Sequence, residues 1–201
     1  AAIIACGLVA VPMEEDLEKL ARDVTFAVVS MGTSTGYATT DYDAWPPLMR
    51  LGIVLLMFMG GCMGSTAGGM KVTRVIVFAK FIGRELHRMI YPHAVRPLRV
   101  GKRVLKPEVA ANIMAFGSVY ALGLLLGTML MTGYGYDLET SVSAAISALS
   151  NMGPALGEVG PTMNWAHVPD GGKWFMSILM LLGRLEMFSV LILFTPWAWR
   201  K

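Results

Sequence analysis

The chain alternates apolar runs with short polar breaks, and run length separates spanning helices from shorter ones. Residues 109–132 form one unbroken apolar segment, and residues 174–197 form a second long apolar run. Each is close to the roughly 20 residues that a helix needs to cross a bilayer. Residues 48–59 begin a third spanning helix, which meets a glycine-rich break at 60–69 and resumes over 70–82. Two apolar runs, 23–31 and 138–149, are too short to span, and each stops at a polar turn, 33–37 and 150–154. The connections follow from what remains. Residues 12–22 are an acidic connection, and 38–47 climb back with Trp45 and Pro46-Pro47, which suit an interface and a helix start. Residues 83–107 are basic, contain three prolines and predict a linker with some amphipathic helix. Residues 133–135 turn the chain, and 155–173 form a loop. Residues 1–11 are apolar but too short to span, so the chain is expected to be the C-terminal piece of a longer protein.

The two polar turns carry one pattern. Ser30, Thr33 and Gly36 recur as Ser147, Ser150 and Gly153, each at an offset of 117 residues. Each copy follows a short apolar run and precedes a long one. This context predicts a re-entrant loop, because non-helical backbone at membrane depth survives only inside protein or along a wet cavity. A ring of carbonyls and hydroxyls replaces the hydration shell of a cation. The candidate filter is therefore Thr33, Ser34, Thr35, Gly36 and Tyr37 with Ser150, Asn151, Met152, Gly153 and Pro154. Gly36 and Gly153 permit the left-handed backbone that aims carbonyls at an axis, and Thr33 and Ser150 are expected to add hydroxyl oxygens. Helix-capping turns between buried helices are the alternative.

Composition and charge place these elements. Hydrophobic residues make up 55% and charged ones 15%, against about 25% charged in soluble domains. Of 17 Lys and Arg, ten fall between Lys71 and Lys106, and Arg200 and Lys201 add two. An excess of Lys and Arg marks the cytoplasmic side, so 71–106 and the C-terminus are expected there and the acidic stretches outside. Both turns then enter from the outer side, as parallel repeats. Cys6 and Cys62 suggest no disulfide framework. The three histidines have no metal-ligand spacing, and no nucleophile–base signature appears. An enzyme, a covalent cofactor and a nucleic-acid partner are not expected. The basic segment also predicts attraction to anionic membrane lipid.

Two further features carry candidate chemistry. Five glycines fall within residues 60–69, and each costs a helix about 1 kcal/mol against Ala. A gate loop of Gly60, Gly61, Gly64, Ser65, Thr66, Gly68 and Gly69 is expected, with close helix packing as the alternative. A phosphate-binding loop fails, because Met70 separates Gly69 from Lys71. Arg184 lies ten residues into the last apolar run, with Glu186 two residues on. Such charges face protein or water, and residues two apart on a helix do not face each other. A static buried ion pair competes with a functional role for Arg184.

The runs S-T-G-Y-A-T-T-D-Y, G-G-C-M-G-S-T-A-G-G-M-K, N-M-G-P-A-L-G, G-R-L-E-M-F and L-F-T-P-W-A-W-R together resemble the Trk/Ktr superfamily of potassium uptake proteins. The resemblance implies an all-α membrane protein of tandem parallel helix–pore loop–helix repeats, of the potassium-channel-like type. Four repeats are implied, of which this chain resembles the third (1–82) and fourth (108–201), joined by a basic cytoplasmic linker (83–107). It further implies a homodimer in the bacterial inner membrane, with a cytosolic nucleotide-binding regulatory subunit of the TrkA type docking from below. The transported ion would be K⁺, bound at Thr33, Thr35, Gly36, Ser150, Asn151 and Gly153. Residues 60–69 would be the intramembrane gate, with Arg184 facing it. A Na⁺-conducting or Na⁺-coupled relative and a non-conducting assembly subunit remain open.

Overall fold

The computed structural model describes residues 17–62, 64–65, 67–91, 97–101 and 103–185. The expectations for 1–11, for Thr66, for Glu186 and for the basic C-terminus fall outside them. The described helices are α1 (Leu17–Gly32), α2 (Pro47–Met59), α3 (Val72–Ile90), α4 (Pro107–Gly133), α5 (Leu138–Ser150) and α6 (Asp170–Arg184). Single 3₁₀ turns occupy Tyr42–Ala44 and Gly157–Val159. Glu108–Gly133 is long and apolar enough to cross a membrane, alone among the described helices.

Local chemistry sets the helix ends. Pro occupies the first turn of α2 and α4, where its missing N–H would have had no partner. The Asp137 side chain caps α5 by accepting from Thr140 N at 3.4 Å. The described elements depart from expectation in several places. α1 begins at Leu17 rather than at 23, because Leu20, Val24, Ala27 and Met31 form a continuous buried stripe. α3 runs on to Ile90, eight residues into the expected linker. Within that linker, Arg99–Val100 (β1) and Arg103–Val104 (β2) pair as a small antiparallel ribbon around Gly101, which has φ +59°. Lys80 Nζ donates to the Arg99 carbonyl at 2.9 Å and ties the ribbon to α3.

The fold is organised around α5, which is only 13 residues long and buried over nearly its whole length. Ser and Ala dominate it, so neighbours approach its backbone closely. α4 brings Gly123 and Gly127 against Leu149 and Ala145. α6 brings Gly183 against the Leu149 carbonyl, where any Cβ would overlap backbone. α2 packs on a third side, with Ile53, Met57 and Ile146 in one core cluster.

The segments after the two turns meet on one side of the molecule. Gly157 N donates to Asp43 Oδ1 at 3.1 Å, and Arg50 bridges Asp43 at 3.7 Å and Glu139 at 3.0 Å. Both turns therefore enter and leave from the same side, as parallel repeats.

Gly183→Ala should destabilise the full-length protein by about 1–3 kcal/mol, the usual cost of overpacking. Gly133→Ala, which meets nothing within 4 Å, should stay within about 0.5 kcal/mol of the parent. Thermal unfolding in detergent compares the two.

Candidate functional site

The two turns share left-handed positions and backbone hydrogen bonds at the 117-residue offset. Ser34 and Asn151 are left-handed at φ +58° and +54°, and Gly36 and Gly153 follow at +79° and +107°. Ser34 N donates to the Met31 carbonyl at 3.2 Å, as Asn151 N does to Ala148 at 3.1 Å. Thr35 N reaches the Ser30 carbonyl at 2.9 Å, as Met152 N reaches Ser147 at 3.1 Å. Each short helix thus ends in a left-handed cap that satisfies its last carbonyls, and the chain leaves through a glycine.

The first serine of each pattern fastens its turn from behind. Ser30 Oγ donates to the Tyr37 carbonyl at 2.6 Å, and Ser147 Oγ accepts from Gly153 N at 3.1 Å. Both serines are buried. The motif contained them, yet its chemistry drew attention to the later hydroxyls.

Those later hydroxyls behave differently. Ser150 was expected to present its hydroxyl to the ion, but the side chain is fully buried and Oγ donates to the Met57 carbonyl at 2.7 Å. A helix terminus surrounded by α2 and α4 leaves it no route to solvent, and only the backbone of Ser150 remains a candidate. Thr33 keeps its place at the surface. Its Oγ1 lies 2.8 Å from the Val29 carbonyl and 2.7 Å from Thr35 Oγ1. Met152 turns its side chain into the core, Tyr37 is exposed, and Asn151 Nδ2 donates to the Met180 carbonyl at 3.0 Å.

The turns lie side by side. The Cα of Gly36 faces the Met152 carbonyl and Pro154 Cδ so closely that a Cβ would overlap the carbonyl. The same face of Gly153 meets nothing within 4 Å.

Helix α2 stops at Met59 and α3 starts at Val72, so residues 60–71 interrupt the helical path. The loop closes on itself, with Met70 N reaching the Phe58 carbonyl at 3.4 Å and Val72 N reaching Gly61 at 3.2 Å. Gly60 backs onto Gly68, and Gly68 sits against the Ser150 carbonyl. The loop is therefore held directly against the end of α5. Ser65, Ala67, Gly69, Lys71, Gly183 and Arg184 line a cavity of about 230 Å³, together with Arg74. Arg184 and the loop thus share one cavity, and the Arg74 guanidinium lies 4.0 Å from the centre of the Phe116 ring. Among the described residues, no group of His, Cys, Asp or Glu is arranged to hold a metal ion.

Beyond the first turn, Tyr42 is buried, with Asp41 and Asp43 on either side of it in the chain. Burial first, and then the Asp43 and Asp41 carboxylates, push its hydroxyl above the ordinary phenol range.

Residues 14–199 match the TrkH family, described as a cation transport protein. The chain belongs to the TrkH family. It is 41% identical over 182 residues to the Trk system potassium uptake protein TrkI of Halomonas elongata, covering 89% of this chain and 36% of that protein. It is 36% identical over 176 residues to the Trk system potassium uptake protein TrkH of Escherichia coli, covering 88% of this chain and 36% of that protein. The crystal structure of the potassium transporter TrkH from Vibrio parahaemolyticus superimposes with a TM-score of 0.87 at 34% identity, over 99% of this chain and 43% of that one. The chain thus spans little more than a third of these curated relatives. Its fold is that of the TrkH membrane transporters, mostly helical with potassium-channel-like pore-helix repeats.

In this TrkH-family chain, Ser147→Ala removes the acceptor for Gly153 N. The full-length variant should lose about 1 kcal/mol, read by thermal unfolding, while Ser177→Ala on an exposed face should change little.

Proposed function

We propose that the complete protein takes up K⁺ across the bacterial inner membrane, and that this chain supplies two of its filter turns and its gate. The observation that carries this reading is the shared backbone of the two turns, seated side by side with Gly36 against the Met152 carbonyl. Left-handed glycines in adjacent re-entrant turns aim carbonyls toward a common axis. The uncovered face of Gly153, equivalent to the covered face of Gly36, fits a ring to which further turns belong. The relatives carrying the names of potassium uptake proteins favour K⁺.

The ion is bound by the exposed oxygens of Thr33 and Thr35 and by the backbone at Gly36, Ser150, Asn151 and Gly153. Below it, Gly60, Gly61, Gly64, Ser65, Thr66, Gly68 and Gly69 block the path in the resting state. Arg184, which shares a cavity with that loop, restrains it. Its planar fork donates to several acceptors at once, and its charge opposes a passing cation. Residues 71–106 and the C-terminus lie in the cytoplasm, following the excess of Lys and Arg. The protein works as a homodimer, with a cytosolic nucleotide-binding subunit of the TrkA type controlling the loop. It catalyses no covalent chemistry.

Rb⁺ and Na⁺ uptake by the full-length protein in a potassium-transport-deficient strain tests the filter. Gly153→Ser and Gly36→Ser should both lower discrimination for K⁺, because a side chain at these φ values costs about 1–2 kcal/mol and shifts the carbonyls. Gly36→Ser should lose more, since its Cβ also displaces the Met152 carbonyl. Unchanged selectivity in both variants removes the glycines from the filter.

Arg184→Ala should raise K⁺ flux in liposomes that lack the regulatory subunit and shrink the response to it. Arg184→Lys should fall between, keeping charge but losing the fork. A well-expressed Arg184→Ala that conducts no more than the parent refutes the restraint.

A further inference from the structure

We propose that Trp165 is a positioning residue for the second filter turn: its indole N–H holds the Gly153 carbonyl at the orientation that discriminates between cations. This rests on the filter reading given above. Trp165 Nε1 lies 3.1 Å from the Gly153 carbonyl oxygen, and the donor comes from the outer loop, 12 residues beyond the glycine.

The two turns share a backbone but not their fasteners. In the first, Ser30 on the short helix donates to the Tyr37 carbonyl and fixes the exit strand from behind. In the second, the matching Ser147 accepts from Gly153 N. Its oxygen holds the amide and leaves the carbonyl unfastened from that side. The peptide after Gly153 is bounded on its far side by Pro154, whose ring fixes φ. On its near side is a glycine at φ +107° with no atom within 4 Å of where a Cβ would stand. The remaining freedom is the rotation of Gly153 itself, and the indole bond closes it. A carbonyl oxygen has two lone pairs, so accepting from Trp165 leaves one for an ion.

The backbone that carries Trp165 is fastened at several points. The Asn164 side chain accepts from Ala166 N at 2.9 Å, and Val168 N returns to the Trp165 carbonyl at 3.2 Å. Lys173 Nζ donates to the Ala166 carbonyl at 3.0 Å, and Tyr136 OH reaches the His167 carbonyl at 3.5 Å. Val168 is buried in the core that also receives Trp165. Four bonds, from the connection between α4 and α5, from α6 and from the loop itself, fasten the backbone that carries this side chain, and its indole N–H ends on the turn.

A cation filter selects through the number and placement of its oxygens. A carbonyl free to swing follows a smaller ion inward, so loss of the indole bond should favour Na⁺ relative to K⁺. One neutral hydrogen bond corresponds to about a fivefold to tenfold change in an equilibrium, which sets the size of the effect.

The full-length protein in liposomes at pH 8, assayed for Rb⁺ against Na⁺ uptake, decides the matter. Trp165→Phe keeps an aromatic ring and loses the donor. Replacing Trp165 by 3-benzothienylalanine keeps the whole bicyclic shape, puts sulfur in place of N–H, and preserves folding if the phenylalanine variant does not. Trp165→His loses the bulk but carries Nε2–H at the ring position of the indole N–H. The two donor-free replacements should lower discrimination about fivefold to tenfold, while Trp165→His stays within about twofold of the parent. A benzothienylalanine protein that discriminates like the parent overturns the proposal, and so does a histidine variant that loses as much as the donor-free ones. A parent protein that takes up no K⁺ refutes the uptake reading and this inference with it. A selective parent unaffected by benzothienylalanine refutes this inference alone.

Discussion

The last carbonyls of α5 have no partners within their own helix, as at any helix end, and here backbone rather than side chains surrounds them. The Leu149 carbonyl faces Gly183 of α6, the Ser150 carbonyl faces Gly68 of the 60–71 loop, and the Met152 carbonyl just beyond faces Gly36 of the first turn. Three elements converge on one helix terminus, and each presents a glycine because a Cβ would overlap the carbonyl it meets. The rest of the arrangement follows from this contact. It brings the two turns together, keeps the loop directly beneath them, and sets α6 where Arg184 shares the loop's cavity. The Ser150 hydroxyl adds the bond to Met57 that joins α2 to the same point.

Much of this was legible in the sequence. The 117-residue offset gave two turns of one kind, and the structure gives them one backbone down to the left-handed Ser34 and Asn151. The break after Met59 followed from glycine content alone. The start of α1 was hidden by Glu18, Lys19 and Arg22, charges that occupy a face not shared with Leu20, Val24, Ala27 and Met31. Average polarity concealed a periodic stripe that reaches back to Leu20. The amphipathic helix expected in the linker is the continuation of α3, along which Arg84, Glu85 and Arg88 pair with one another. The ribbon at 99–104 is too short to leave a periodic signal. The inward rotation of Ser150 was not legible, because the sequence shows a hydroxyl but not which neighbour accepts from it.

The turns also show how little of a repeat must repeat. Both turns pass through left-handed backbone at the same two positions, while the side-chain atoms that fasten them differ. Ser30 gives a proton where Ser147 receives one, and Asn151 reaches α6 through an amide where Ser34 has only a hydroxyl. Satisfying each buried N–H and C=O is the fixed requirement, and the choice of partner is left to the local surroundings. The Arg50 bridge to Asp43 and Glu139 joins the two repeats through side chains.

The bond between Ser150 and Met57 spans 93 residues, and that between Gly157 and Asp43 spans 114. A ribosome adds about 5–20 residues per second, so the first turn exists for some seconds before the surface that seats it has been made. Through that interval Gly36 faces no Met152 carbonyl, and the glycine-rich loop has no helix end above it. Both segments have bonds of their own, but their glycines keep more conformational freedom than other residues. The backbone against which those glycines pack arrives only with α5 and the turn after it. The later-synthesised repeat acts as a template for the earlier one, and a chain halted before residue 138 would leave the first turn without its mould.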